Sequence, residues 1–505
     1  MSSRLTVGLA MVAVSALAAA IVPPCAGAEE FERERQQALA LGVQAYEYGE
    51  PLLDTERIYK TATSVTVPDH IGDAPVNQFS HFQELVSERD GVAAPSVDTL
   101  YSSAWLDLKS QPIVLHVPQA TRFSVVALLS PYTEDFTNIG NGASGLLAPG
   151  DYLIAGPNQL VGHETAEGLK VIHSPYLRVW VIERTLVASS EELPSALALQ
   201  EATMLVPLNR WALEGLGYKP PPPSELITTP RVYAIPGAHR VFPLNYWAAL
   251  GSALERFAPP AADRPLLEQL AAVNIGPGLS PTAANSSEGT LAGLSEAVGA
   301  GPYQVVRDFR AQLQAGFAAH NGWLVAGLGN YATNYQLRAI TDRFGVGALT
   351  PNVTLYMAAV TDRAGGQLNG GQLNGTAARY VAHFPASDFP VPVQGFWSIT
   401  MYNASGRLVN NPLDRSSLGG GSNLQFNLDG SLDVYLQSAE PGNEAQRENW
   451  LPAPSAGFQL VMRLYGASEM ALPGILEGGA GHWRPPTVEL CLASGRTVAG
   501  WPCAQ

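Results

Sequence analysis

Residues 96–103 place an acid, several hydroxyls and a phenol within eight positions of the chain. A carboxylate can act as a general acid or base, and a phenol can donate a proton or orient a substrate. The pattern therefore predicts Asp98 as an acid/base and Tyr101 as a proton donor or orienting hydroxyl. Ser96 and Thr99 are predicted to contact a substrate. An Asp or Thr that ties down a turn explains the same residues equally well.

A second cluster of aromatic and polar residues occupies positions 396–415. Alternation along a strand would place Trp397 on one face and Tyr402 on the other, so one face should belong to a core. The other face either lines a pocket or meets solvent. Arg415 is predicted to bind an anionic group or to stabilise developing negative charge. The predicted substrate-binding residues in this half of the chain are Trp397, Tyr402, Asn411 and Trp450.

Short strands must position both clusters. Runs of β-branched and aromatic residues that end near Pro, Gly, Asn or Ser predict strands from about 95 to 210 and again after Gly345. The clearest predicted strands are Ile113–Val117, Phe123–Leu128, Tyr152–Ala155, Val179–Ile182, Phe396–Tyr402, Leu432–Gln437 and Phe458–Leu464.

Helical patterns lie before the first group of strands and between the two groups. Residues 31–48 have helical character, and Gly49 and Pro51 are predicted to end that helix. Residues 191–216 and parts of 241–321 show helical character too. The sequence therefore predicts a mixed β and α protein that is mainly β.

Composition excludes several classes of protein. The 505 residues include 29 basic and 44 acidic side chains, and only 14% are charged. An apolar fraction of 46% with so little charge is not that of a disordered chain, and 49 Gly with 39 Pro is not that of a coiled coil. The acidic balance argues against nucleic acid as a partner. The composition leaves homo-oligomer formation open.

The first 28 residues resemble an export signal. Arg4 precedes a long apolar run, and the segment Ala26–Ala28 supplies the small residues that a signal peptidase accepts. A membrane anchor is the alternative, because the run nears the length that spans a bilayer. We expect cleavage near Ala28, a secreted or periplasmic protein, and no transmembrane span in the mature chain. Cys491 and Cys503 would then form one disulfide, with two unpaired thiols as the alternative.

Searches for cofactor and metal motifs are negative. The chain has no Gly-x-Ser-x-Gly elbow, no His-Glu-x-x-His and no paired Cys-x-x-Cys motif. Residues 140–145 match the dinucleotide fingerprint by letter, but Pro149 and a predicted strand follow where a helix is required. No cofactor and no metal are therefore predicted.

The two clusters resemble a pair of protein families, DUF1254 and DUF1214. The first family's pattern is carried by Ala45–Gly49, Asp98–Ser102, Leu106–Leu108 and Glu183–Thr185, and the second by Phe396–Tyr402, Asn411–Pro412, Arg415, Asn427–Leu432, Asn449–Pro454 and Arg463–Tyr465. This resemblance implies two β-rich domains joined by a helical region, the second sandwich- or jelly-roll-like. It also implies exported or envelope-associated proteins, without a settled reaction. Ser96 departs from the pattern, because an Asn is expected at that position.

These observations lead to three functional hypotheses. The first is an exported hydrolase of a small molecule or cell-envelope component, with a pocket where the two β-rich domains meet. The second is a non-catalytic envelope protein that binds a glycan or lipid, and the third is a purely structural β-protein. The predicted organisation is a signal peptide at 1–28, a DUF1254-like domain at 29–218, a linker with a polyproline run and a helical region at 219–344, and a DUF1214-like domain at 345–505.

Overall fold

A computed structural model describes residues 26–90, 94–162, 168–220, 243–316, 318–373, 375–492 and 494–503. The helices are α1 Ala26–Ala62, α2 Leu193–Ala202, α3 Leu208–Glu214, α4 Pro243–Arg256, α5 Arg264–Ala271, α6 Glu288–Gly316, α7 Tyr335–Gly345, α8 Glu444–Glu448 and α9 Leu472–Glu477. The strands of the first half are β1 Phe79–His81, β2 Thr99–Asp107, β3 Ile113–Val117, β4 Ser124–Leu129, β5 Asp135–Asn141, β6 Gly150–Ala155, β7 Lys170–His173, β8 Arg178–Leu186 and β9 Met204–Pro207. Those of the second half are β10 Leu324–Ala326, β11 Thr354–Ala359, β12 Gln372–Leu373, β13 Thr376–Ala377, β14 Tyr380–Phe384, β15 Val393–Asn403, β16 Ser417–Gly419, β17 Leu432–Gln437, β18 Trp450–Pro452, β19 Phe458–Ala467 and β20 Thr487–Leu490.

The first half of the chain forms a β-sandwich. Sheet 1 has the strand order β1-β2-β8-β4-β5, and sheet 2 has the order β7-β6-β3-β9. Alternate residues of the two sheets face each other and are almost fully buried, including Leu106, Leu115, Val126 and Ile154. Burial of apolar side chains on one face of each sheet holds this sandwich together.

The second half forms a second β-sandwich on the same principle. Sheet 3 has the order β10-β11-β19-β15-β16, and sheet 4 has the order β18-β17-β14-β20. Trp397, Ile399 and Met401 point into its core together with Phe384. The predicted alternation along 396–402 is therefore correct for this face.

Five helices form a third layer with its own apolar core. Helices α1, α4, α5, α6 and α7 bury aromatic and aliphatic side chains against one another, among them Tyr48, Trp247 and Leu294. Small residues let α1 and α6 approach closely, since a Cβ added at Gly42 would lie 2.5 Å from the Cβ of Ala297.

Helix α1 does not end at Gly49 and Pro51, so that prediction is wrong. Pro51 lies inside the helix, which continues to Ala62. The side chain of Leu52 is fully buried in the helical core, so packing outweighs the hydrogen bond that the proline removes. Gly49 is required for contact, because a Cβ there would lie 2.5 Å from Leu250 of α4.

Most of the predicted architecture is confirmed, including the mixed β and α composition, the helical middle region and the Cys491–Cys503 disulfide. Residues 191–216 contain a strand that was not predicted, because β9 pairs with β3 between two helices. The predicted export signal up to residue 25 and the prolines 221–223 lie outside the described residues. Within the described ranges, no helix has both the length and the apolar character needed to cross a bilayer.

Candidate functional site

A large cavity lies between sheet 1, sheet 3 and the ends of α6 and α7. Its volume is about 1460 Å³. The outer faces of the two sheets pack against each other through apolar side chains such as Phe123, Leu129 and Val353. Beside that contact the two sheets enclose the cavity, which Phe309 and Phe344 of the helical layer also line. Both sandwiches and the helical layer therefore contribute to one wall.

Strand alternation decides which side chains of sheet 1 reach the cavity. Tyr101 and Trp105 of β2 face it, and they pair across the sheet with Arg184 and Trp180 of β8. The two tryptophan rings stack with centroids 5.1 Å apart and planes within 5°. The indole of Trp180 donates a hydrogen bond to Ser103 (3.0 Å). This face offers a flat aromatic surface next to a phenol and a guanidinium.

Arg184 is buried at the wall of the cavity, and no carboxylate of the described residues lies within ion-pair distance of it. Its Nη2 donates to the carbonyl of Gly347 at 2.9 Å, and its guanidinium carbon lies 5.4 Å from the centre of the Tyr101 ring. Its Nη1 is buried without a hydrogen bond of normal geometry. Burial alone would lower the pKa of Arg184, but the nearby phenols of Tyr356 and Tyr101 raise it, so the side chain stays positively charged.

Arg463 of β19 is the corresponding cation of sheet 3. Its Nη1 donates to Thr400 (3.2 Å) and its Nη2 to the carbonyl of Ala94 (2.7 Å). Burial acts to lower its pKa, whereas Tyr402 and other phenols raise it. Tyr101 contributes to the raised pKa of both arginines, so the two guanidinium groups flank the same phenol.

Positive charge dominates the cavity wall although the whole chain carries a net charge of −15. The charged residues along the wall are four arginines and one aspartate: Arg184, Arg310, Arg343, Arg463 and Asp73. Among the described residues, neither Arg184 nor Arg463 has a carboxylate oxygen within ion-pair distance. A low-dielectric cleft with one sign of charge concentrates ions of the other sign. The wall is therefore suited to an anion.

The segment 94–98 fastens the first sandwich onto sheet 3. Both carboxylate oxygens of Asp98 accept hydrogen bonds, from Ser398 (2.7 Å) and from Ser417 (2.6 Å). The hydroxyl of Tyr402 donates to the carbonyl of Pro95. Asp98 does not line the cavity. The structure thus places the predicted acid/base in an inter-domain contact.

Ser96 and Tyr101 do reach the cavity and are linked to each other. The hydroxyl of Tyr465 donates to Ser96 Oγ at 2.8 Å, and the Ser96 amide donates to the Tyr101 hydroxyl at 3.0 Å. Burial raises the pKa of Tyr465, so its phenol remains protonated. The residue at position 96 therefore joins the two sandwiches at the cavity wall.

The other predicted site residues lie away from the cavity. Arg415 donates through Nη1 to the carbonyls of Arg447, Glu448 and Trp450 (2.9–3.1 Å). The side chain of Asn411 accepts from the Leu413 and Arg415 amides and shapes a loop. The fully or almost fully buried residues are Thr99, Trp397, Tyr402 and Trp450. The predicted set therefore does not converge on one site.

A polar cluster inside the first sandwich resembles a catalytic triad but has the wrong connectivity. Ser102 lies 2.9 Å from His81 Nδ1 and donates to Glu183 at 2.8 Å. In a triad the acid orients the imidazole, whereas here both groups contact the serine. Burial lowers the pKa of His81 to about 4 and raises that of Glu183 to about 7. The serine hydroxyl thus donates its hydrogen bond to the carboxyl group, which is not the serine-to-imidazole contact of a triad.

Sequence reasoning did not select the two cavity arginines as site residues. Arg184 comes two residues after the apolar run Val179–Ile182, and Arg463 lies between apolar residues of β19, which was the available signal. Both belong to the stretches that carry the family resemblance, but their meeting depends on sheet packing that no local pattern encodes. Among the described residues, no group of three or more His, Cys, Asp or Glu side chains is arranged to hold a metal ion.

The fold is shared with a solved protein of low sequence identity. The crystal structure of the VPA0106 protein from Vibrio parahaemolyticus matches with a TM-score of 0.61 and 20% identity, over 90% of this chain and 100% of that one. A putative uncharacterized protein from Burkholderia cenocepacia matches at a TM-score of 0.39 and 12% identity, over 92% and 94% of the respective chains. No curated protein matches the sequence significantly.

Two family models match the two sandwiches. The model described as DUF1254, protein of unknown function, covers residues 76–207. The model described as DUF1214, also a protein of unknown function, covers residues 353–469. The cavity lies where these two matched regions meet, since Tyr101 and Arg184 belong to the first and Arg463 to the second. The chain therefore contains a DUF1254 domain followed by a DUF1214 domain.

Proposed function

We propose that this chain is an exported protein that binds a small, largely apolar molecule in the cavity between its two β-sandwiches. The observation that carries the proposal is the cavity itself, about 1460 Å³ in volume and walled by aromatic and aliphatic side chains. Ligand pockets of proteins commonly measure roughly 300–1,000 Å³, are mostly apolar and lie at domain interfaces. This cavity shares the position and the character of such pockets and is larger.

Export is supported by the sequence and by the disulfide. The first 28 residues have the composition of a signal peptide. Cys491 and Cys503 are bonded, and such bonds persist mainly outside the cytosol. The ligand would then come from the cell envelope or its surroundings.

Blocking the cavity tests the binding proposal. The half-buried Ala358 of β11 lines the wall, so Ala358→Trp would place an indole inside the cavity. We expect it to abolish binding of the neutral apolar probe N-phenyl-1-naphthylamine, measured by fluorescence titration. Leu213→Trp, on an exposed position of α3, is the matched control and should bind like the wild type. Equal binding by wild type and Ala358→Trp would refute the cavity as the site.

Hydrolysis of the bound molecule is a second candidate, favoured by the position of Tyr101. Its hydroxyl lies in the cavity wall and Arg184 packs over its ring, so a phenol and a cation meet where a polar group of a ligand would sit. Tyr101 would donate a proton to the leaving group, and the arginine would stabilise developing negative charge.

A substrate screen tests hydrolysis directly. Esters, amides, phosphates and glycosides with apolar groups would be offered to the wild type, Tyr101→Phe and Asp98→Asn. We expect Tyr101→Phe to lower kcat by about 100-fold, the usual range for a lost proton donor, at an unchanged Tm. Because Asp98 binds Ser398 and Ser417, a lower Tm with a preserved kcat in Asp98→Asn would remove Asp98 from the chemistry. Absence of turnover in every class would leave binding as the function.

A further inference from the structure

Resting on the proposed binding function, we infer that the ligand is an amphipathic anion whose acidic head binds between Arg184 and Arg463 and whose apolar tail fills the rest of the cavity. The chemical class is a long-chain carboxylate or phosphate monoester. Four features of the described residues support this assignment.

The first feature is buried positive charge with no carboxylate at ion-pair distance among the described residues. The charge of Arg184 does act to lower the pKa of Asp135, but the two side chains form no ion pair. Arg184 is 7% exposed and Arg463 is 3% exposed, and no carboxylate of the described residues pairs with either. A buried charge is costly unless it is paired and hydrogen-bonded. A sandwich that retains two such cations at the wall of a cavity gains most when an anion occupies that cavity.

The second feature is unused hydrogen-bonding capacity on Arg184. Nη2 is occupied by the carbonyl of Gly347, but Nη1 is buried without a hydrogen bond of normal geometry. A guanidinium presents its N–H groups as a planar fork that suits carboxylate and phosphate oxygens. A ligand oxygen that accepts a hydrogen bond from Nη1 would give this nitrogen the partner that it lacks.

The third feature is a pair of phenols in the same wall. The Tyr101 hydroxyl accepts from the Ser96 amide, and the Tyr356 hydroxyl accepts from the Leu349 amide at 3.2 Å. Because each oxygen already accepts a backbone hydrogen bond, its own hydrogen is directed away and can serve as a donor. Tyr356 pairs with Arg463 across β11 and β19, so both phenols flank a cavity arginine.

The fourth feature is the apolar remainder of the cavity. The stacked Trp105 and Trp180 lie on the same face of sheet 1 as Arg184, and Phe309, Ile340 and Phe344 approach from the helices. Each methylene group of an alkyl chain buried there would tighten binding by about fourfold. The polar and apolar parts of the wall therefore match the two ends of an amphiphile.

Matched ligands separate the head from the tail. Isothermal titration of the full chain would compare dodecanoate, dodecyl phosphate and dodecanol below their aggregation limits, with acetate and inorganic phosphate as tail-free probes. We expect the acid or the phosphate to bind at least tenfold more tightly than the alcohol, and the tail-free ions to bind far more weakly. The ratio of dodecanoate to dodecyl phosphate distinguishes the two head groups.

Arginine variants test the assignment of the head site. Arg184→Met and Arg463→Met keep most of the side-chain volume and remove the cation, so each should lose the preference for the anion while retaining dodecanol binding. Arg184→Lys keeps the positive charge but lacks the planar N–H groups of the guanidinium, so its anion-to-alcohol ratio should lie between those of the wild type and Arg184→Met. This variant keeps the test valid if a methionine variant folds poorly. Arg210→Met, on the exposed face of α3, is the control. A fall in Tm without a change in the anion-to-alcohol ratio would show a merely structural role.

The outcomes distinguish this inference from the proposed function. If the wild type binds dodecanol as tightly as dodecanoate and dodecyl phosphate, the cavity binds apolar molecules whatever the charge of their head group, and only the inference fails. If no amphiphile binds although N-phenyl-1-naphthylamine does, again only the inference fails. If neither the amphiphiles nor N-phenyl-1-naphthylamine bind, or if Ala358→Trp binds them all like the wild type, the proposed function fails and the inference with it.

Discussion

Asp98 illustrates how one side chain acquires a role that its neighbours in sequence do not show. Each of its carboxylate oxygens accepts a hydrogen bond from a serine of the second sandwich, 300 and 319 residues away along the chain. A carboxylate beside hydroxyls in sequence predicts acid–base chemistry or a turn, and the observed contact is neither. The sequence showed that Asp98 is a polar group among hydroxyls, but only the structure shows that its hydrogen-bond partners are Ser398 and Ser417.

Glu183 is a second buried carboxyl group, and its environment fixes its protonation. It accepts hydrogen bonds from Ser102, Thr185 and Thr203, and it is 1% exposed. Burial raises its pKa from 4.5 to about 7, and the three hydroxyls only partly offset that effect. The folded protein thus keeps this carboxyl protonated at pH values where the unfolded chain has already lost the proton.

This difference predicts a pH dependence of stability. Between the unfolded and folded pKa values the native state binds more protons, so the free energy of unfolding falls as pH rises from about 4.5 through about 7. Glu183→Gln cannot ionise, so its free energy of unfolding should fall by about 1–3 kcal/mol less over this interval. Urea titrations at several pH values measure it, with Glu469→Gln at an exposed position as the control. If the free energy of unfolding changes with pH equally in the wild type and in Glu183→Gln, the prediction is contradicted.

Strand alternation is the part of the predicted site geometry that sequence patterns can show. Ser96 and Tyr101 reach the cavity, and Trp397 and Tyr402 lie on opposite faces of β15 as predicted. Alternation is a local property, so the sequence shows it. Arg415 instead binds backbone carbonyls near Trp450, a contact between distant segments that no spacing predicts.

At the scale of elements, the contact between α1 and α6 depends on small residues placed one turn apart. Gly289, Gly293, Ala297 and Gly301 recur every four positions along α6 and face α1. A Cβ added at Gly293 would lie 2.2 Å from the carbonyl oxygen of Arg35, a backbone atom that cannot rotate away. The two helix backbones therefore touch almost directly.

This packing predicts opposite effects for two substitutions in the same helix. Gly293→Ala should lower the free energy of unfolding by about 1–3 kcal/mol, because α1 and α6 must separate to admit the methyl group. Gly299→Ala meets no atom within 4 Å and should raise it by about 0.5–1 kcal/mol through higher helix propensity. Thermal or denaturant unfolding measures the stability of both variants. Equal changes in the free energy of unfolding for Gly293→Ala and Gly299→Ala would argue against close packing at Gly293.

The same elements show where propensity fails as a guide. Gly49 and Pro51 are typical helix terminators, yet α1 runs through both because its flanking residues are buried against other helices. Residues 204–207 lie between two helices and still form a strand, because β3 offers an unpaired edge. In both cases tertiary packing overrides a local preference.

At the scale of the whole molecule, the two sandwiches both contribute residues to the wall of the cavity. Residue patterns predicted the strands and the helical stretches, and the family resemblance implied two β-rich domains with a helical region between them. The relative placement of the sandwiches rests on contacts between sheets 1 and 3, whose residues are separated by more than 130 positions in sequence. The cavity is a product of that placement, which is why its arginines were visible in the sequence but their common site was not.

The segment 94–98 also has a consequence for the order in which this protein is made. Its partners Ser398, Ser417 and Tyr465 are synthesised some 300 residues later. Amino-terminal domains fold as they emerge, so the first sandwich is complete while the surface that will receive sheet 3 is still uncovered. Docking of the two halves is therefore a late event that follows elongation. Until then, the apolar face around Phe123 and Leu129 lacks the side chains of the second half that bury it in the finished protein.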